Sequence, residues 1–123
     1  MNADDKSDRL APCPGKPNCV SSRATDAGHH IEPLKLTGSQ DSAMGRLESI
    51  LRGLPRVKIV TVDGGYLRAE FKSALFGFVD DVEFMADPAA GVIHVRSASR
   101  VGYSDLGANR TRVENIRTLF QTT

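Results

Sequence analysis

VKIVTVDGGYLRAEFK, residues 57–72, decides the fold. Its first six residues are mostly β-branched, and Asp63-Gly64-Gly65 supplies the backbone freedom of a tight hairpin turn. After the turn the period is two: Leu67, Ala69 and Phe71 share one face, and Arg68, Glu70 and Lys72 share the other. A third strand is expected over Phe78–Met85, with Phe78, Asp80, Val82 and Phe84 turned inward and Asp81 and Glu83 outward. The loop from Asp87 to Gly91 leads to a fourth strand, VIHVRSAS at 92–99, with Ile93 and Val95 inward and His94 and Arg96 outward. Connections this short force antiparallel pairing, because parallel strands need long crossovers.

The apolar face of this meander needs a cover. TGSQDSAMGRLESILRGLP, residues 37–55, provides one helix: Met44, Leu47, Leu51 and Leu54 recur at helical spacing, with Ile50 beside them. Thr37 and Gln40 have capping-box spacing, Ser39 is an alternative cap, and Gly53 and Pro55 stop the helix. A second helix closes the chain. Thr111 and Glu114 form its expected capping box, and Val113, Ile116 and Phe120, joined by Leu119, form its apolar stripe. IEPLKL at 31–36 reads as a short extra strand that Pro33 confines to an edge or a strand start. The expected class is α+β: a two-layer sandwich of a four-stranded, at most five-stranded, antiparallel meander with both helices on one face. Its element order is (β)-α-β-β-β-β-α.

At 123 residues the chain is one domain, with residues 1–12 read as a flexible polar tail and 13–123 as the folded unit. Sixteen basic against fifteen acidic residues argue against a dedicated nucleic-acid binder. No apolar run reaches the roughly 18–20 residues of a transmembrane helix. MNADDKSDRL lacks the apolar region of an export signal. A natural start at Met1 therefore implies the cytoplasm, and an export segment ahead of it would imply the cell envelope. The spacing of Cys13 and Cys19 suits a small disulfide ring in an oxidising compartment and two thiols in a reducing one. It matches neither a redox Cys-x-x-Cys pair nor, with His29 and His30 as the nearby histidines, a zinc pattern. No metal or cofactor motif is present, and no phosphate loop, dinucleotide fingerprint or His-Glu-x-x-His.

Chemistry concentrates between Phe76 and Arg112. Asp80, turned toward the apolar layer, needs partners. Ser97 and Ser99 share its parity on the next strand, and Arg96, Arg100, Arg110 and Arg112 stand in or beside the following loop. Arginine forks suit carboxylate or phosphate groups, and the start of the last helix offers unpaired amides. An anion-binding site is expected from Asp80, Arg96, Ser97, Ser99, Arg100, Tyr103, Asp105, Asn109 and Arg110, with Asp80 and Asp105 holding the arginines. The competing reading has these charges pairing among themselves to fix the loop. The charged outer face of the sheet is read as solvated cross-strand pairs. A hydrolytic triad is a poor fit, because His94 diverges from Ser97 and Ser99. An enzyme would have to use Asp80 or Asp81 as acid–base. Leu75-Phe76-Gly77-Phe78 places apolar bulk in a turn, expected to fold under the sheet end, with an exposed docking tip as the alternative.

Three blocks, LAPCPGKPNCVSS at 10–22, FVDDVEF at 78–84 and IHVRSASRVGYSDLGANRTRVE at 93–114, resemble the DUF1499 family across nearly the whole chain and in the family's order. That family is a domain of unknown function, widespread in bacteria and present in plastid-bearing eukaryotes. The resemblance therefore implies no reaction, cofactor or catalytic residue. It places Asp80, Asp81, Arg96, Ser97, Ser99, Arg100, Tyr103, Asp105, Asn109 and Arg110 at motif positions. Three functions follow as expectations: a small module binding an anionic ligand at 96–112, an enzyme using Asp80 or Asp81, or a protein-interaction module using the charged loop and the 75–78 tip.

Overall fold

The computed structural model describes residues 10–122. The hairpin forms as its periodicity requires: β3 (Val57–Asp63) pairs with β4 (Tyr66–Lys72), which pairs with β5 (Val79–Asp87), which pairs with β6 (Val92–Ser99), all antiparallel. Two short strands join the four of the meander: one within 31–36, where a short extra strand is expected, and one at 19–21, where none is. β1 (Cys19–Ser21) pairs with the far end of β6, and β2 (Leu34–Lys35) with its beginning. The result is a six-stranded sheet ordered β1-β6-β5-β4-β3, with β2 sharing the β6 edge. The extra strand was hidden because Cys19–Ser21 is too short to show a period and follows a proline loop.

α1 (Gln40–Arg52) and α2 (Ala108–Gln121) lie on one face, giving an α+β two-layer fold. Of the two candidate caps for α1, Ser39 acts, its hydroxyl accepting from the Ser42 amide at 3.1 Å. Met44, Leu47 and Leu51 of α1 and Val113, Ile116 and Phe120 of α2 meet Leu67, Ala69, Val82, Phe84, Ile93 and Val95 of the sheet in one core. Leu119, expected in that stripe, is exposed, because its helical phase turns it away from the sheet.

The start of α2 departs from expectation. Thr111 and Glu114 lie inside a helix already begun at Ala108, so they form no cap. The capping oxygens come from Asp105, across the left-handed Gly107: they accept from the amides of Gly107 at 2.8 Å and Asn109 at 3.1 Å.

The opposite face of the sheet is partly covered. Leu10 is buried against Tyr66 and Met85. Leu10, within the expected tail, therefore packs on the sheet, while Ala11 and Pro12 are exposed and 1–9 lie outside the described residues. A disulfide between Cys13 and Cys19 ties this segment to β1. Glu83, expected in solvent, is buried on this face and accepts from the Tyr66 hydroxyl at 2.6 Å.

Candidate functional site

Inward parity places Asp80 in register with Phe71 on β4 and Ser99 on β6, where a bare carboxylate would be costly. The partner comes from α2: Arg112 Nη2 donates to Asp80 Oδ2 at 2.7 Å, and its guanidinium also stands 5.0 Å from the centroid of the Phe71 ring. The same guanidinium donates through Nη1 to Asn109 Oδ1 at 2.8 Å and Ser97 Oγ at 3.2 Å.

Asn109, fully buried, is the hub. Its Oδ1 also accepts from the Ser97 hydroxyl at 2.6 Å. Its amide nitrogen faces three acceptors: Asp105 Oδ2 at 2.7 Å, Ser99 Oγ at 2.9 Å and the Asn18 carbonyl at 3.1 Å. Two hydrogens are shared among three acceptors, so the amide is saturated.

Ser97 and Ser99 thus serve Asn109 rather than Asp80, and Asp80 holds Arg112 rather than Arg96, Arg100 or Arg110. Asp105 caps the helix and holds no arginine. Burial pushes the Asp105 carboxyl up, but the Asn109 side chain and the amides of Gly107 and Asn109 outweigh it and leave it below the ordinary carboxylate range. The anion-attracting amides of α2 are therefore already occupied by a carboxylate of the chain itself.

On the outer face, Arg100 grips Asp81 with two bonds of 2.8 and 2.9 Å and reaches Glu70 at 2.8 Å, while Arg68 reaches Asp81 at 2.9 Å. The Arg100 fork, with Arg68 behind it, holds the Asp81 carboxyl below its usual value. An acid–base group working near neutrality needs the opposite shift. Arg96 lies 3.5 Å from Glu83 and donates to the Pro12 carbonyl at 3.4 Å. Arg110 is exposed and reaches only the Gly28 carbonyl at 3.4 Å, and Tyr103 is exposed without joining the network. The nine expected residues are thus split between a buried lock (Asp80, Ser97, Ser99, Asp105, Asn109), an outer lattice (Arg96, Arg100) and the surface (Tyr103, Arg110).

The loops joining these strands hold a different feature. Leu75, Phe76 and Phe78 are 81%, 71% and 54% exposed, so the turn does not fold under the sheet as expected. Phe78 falls just outside β5, and its ring stacks on Phe76 with centroids 5.6 Å apart. The bond from the Arg100 amide to the Val79 carbonyl at 3.3 Å sets the 100–107 loop beside this one. That loop adds exposed Val101 and Leu106, the latter 96% exposed with φ at +53°, a conformation unfavourable for a leucine. Leu106 borders a groove of about 430 Å³ lined also by Leu54, Pro55, Phe71, Ile116 and Leu119.

The sequence model of a family described as protein of unknown function, DUF1499, matches residues 9–120. The chain belongs to the DUF1499 family. No curated protein and no solved structure matched it. In this DUF1499 domain, the Cys-Pro block makes the disulfide and β1. The block at 78–84 enters β5 with Asp80, and the block at 93–114 contributes β6 and the α2 cap. Asp80, Ser97, Ser99, Asp105 and Asn109 meet, through Arg112, in one network joining β5, β6 and α2. Among the described residues of the DUF1499 domain, no helix is long and apolar enough to cross a membrane.

Proposed function

We propose that this domain is a non-catalytic binding module that docks through the end of the sheet carrying the 73–78 and 100–107 loops. One observation supports this reading above the others: three large apolar side chains, Leu75, Phe76 and Phe78, are held in solvent on a single turn. Scattered exposed apolar residues are ordinary on protein surfaces, but a contiguous cluster marks contact with something else. Leu106 supports the same end, since a strained, almost fully exposed leucine contributes nothing to the core.

The anionic-ligand reading has weaker support. Arg96, Arg100 and Arg112 each already face a carboxylate of the chain, and Asp105 occupies the helix amides. Asp81, held as a carboxylate by Arg100 and Arg68, offers little to an acid–base mechanism.

The test immobilises the domain and captures partners, soluble and membrane-borne, from a complete cell extract. Capture is expected to be lost with Phe76→Ser and kept with Arg100→Ala. Equal capture by the wild type and Phe76→Ser contradicts the docking reading. Saturable phosphate binding abolished by Arg100→Ala would restore the arginine pocket.

A further inference from the structure

The tip does not stand alone. Residues 72–78, KSALFGF, contain one cation and no carboxylate. The Lys72 chain runs along the turn, with its Cε 3.2 Å from where a side chain at Gly77 would begin. Its amide donates to the Arg56 carbonyl at 3.0 Å, so a second exposed cation stands at the base of the same turn. Among the described residues neither side chain has a carboxylate partner. The nearest carboxylates along β5, Asp80 and Asp81, are neutralised by Arg112 and by Arg100 with Arg68. Glu70 shares Arg100, and Asp105 on the adjoining loop is held by amides alone, so Lys72 and Arg56 against Asp105 leave the base of the tip with a small positive excess.

Three hydrogen bonds close the base of the turn. The Ser73 amide donates to the Phe78 carbonyl at 2.8 Å and the Gly77 amide to the Ser73 carbonyl at 3.2 Å. The Phe78 amide donates to the Ser73 hydroxyl at 3.0 Å. The three apolar side chains stand in solvent, and the rings of Phe76 and Phe78 stack on each other.

From the exposed apolar turn and the two cations at its base together, we infer that the occupant of this end is an anionic lipid surface. Leu75, Phe76 and Phe78 enter the interface while Lys72 and Arg56 meet the headgroups. The inference rests on the docking reading above and names its partner. Val101, Tyr103 and Leu106 on the adjoining loop are exposed as well. The arrangement lies on a membrane and does not span it.

The experiment is sedimentation of the full chain with vesicles of phosphatidylcholine alone and of phosphatidylcholine mixed with phosphatidylglycerol. The wild type is expected to sediment with the mixed vesicles and to release as salt is raised. The double change Phe76→Ser, Phe78→Ser is expected to weaken partitioning by about tenfold or more. Lys72→Ala and Arg56→Ala are expected to weaken it by about fivefold each. All four positions are exposed, so unchanged thermal melts would show that the variants still fold. No sedimentation with mixed vesicles, or sedimentation indifferent to Phe76 and Phe78, overturns the lipid assignment. If vesicles fail while capture of a protein from extract still depends on Phe76, the docking reading stands and its partner is a protein. If both fail, both readings fall.

Discussion

The carboxylate of Asp80 on β5 and the guanidinium of Arg112 on α2 lie 2.7 Å apart, with only 14% and 18% of their side chains exposed. This bond fastens the last helix to the middle of the sheet. Removing one partner leaves the other charge half-buried and unpaired. Asp80→Ala and Arg112→Ala are each expected to cost about 2–4 kcal/mol in urea unfolding, and their double-mutant cycle to show coupling of about 1–3 kcal/mol. Coupling near zero would mean that the pair does not hold the helix.

Acid should loosen the outer lattice. Arg100, with Arg68 behind it, lowers the Asp81 pKa from its ordinary 3.8, so the unfolded chain takes up the proton at higher pH than the folded one. The stability this lends is present above about pH 4 and is lost as pH falls through the lowered folded value. Urea midpoints measured downward from neutrality should fall for the wild type and fall less steeply for Asp81→Asn. Identical acid limbs for the two proteins would refute the assignment.

The Cys13–Cys19 disulfide closes a short ring and holds Leu10 to Pro12 against Tyr66, Met85 and Arg96. Reduction, or the double change Cys13→Ser, Cys19→Ser, should cost about 2 kcal/mol. An unaltered urea midpoint with and without reductant would show that the segment holds without its tether.

Leu106 should separate docking from folding. At φ +53° it carries left-handed strain that glycine lacks, so Leu106→Gly should leave stability unchanged or raise it by up to about 1 kcal/mol. The same change should weaken binding at this end. A loss of stability would give Leu106 a structural role instead.

The meander was readable because side chains alternate every residue. Leu67, Ala69, Val82, Phe84, Ile93 and Val95 all fall where parity put them. Cys19–Ser21 carries too few residues to show a period and becomes a strand only because β6 offers an edge, whereas the short strand expected within 31–36 forms at Leu34–Lys35. Asp80 was correctly read as an inward carboxylate in need of an arginine. Its partner could not be read, since that depends on the phase of α2, and the phase was misjudged from Thr111 and Glu114. The true cap, Asp105, acts across Gly107, whose left-handed turn has no periodic signature. Phe78 was placed inside a strand because its parity matches Val82. A bond from its own amide to the Ser73 hydroxyl holds it in the turn instead.

The chain contains no tryptophan, so Phe76→Trp would place a single indole at the tip. Its emission and its quenching by acrylamide, measured in buffer and then with phosphatidylglycerol-containing vesicles, test the central claim most directly. The predicted result is red-shifted, fully quenched emission in buffer that turns blue and shielded on adding vesicles. An indole already blue and shielded in buffer would place the tip inside the fold, and emission unchanged by the vesicles would deny that the tip meets lipid.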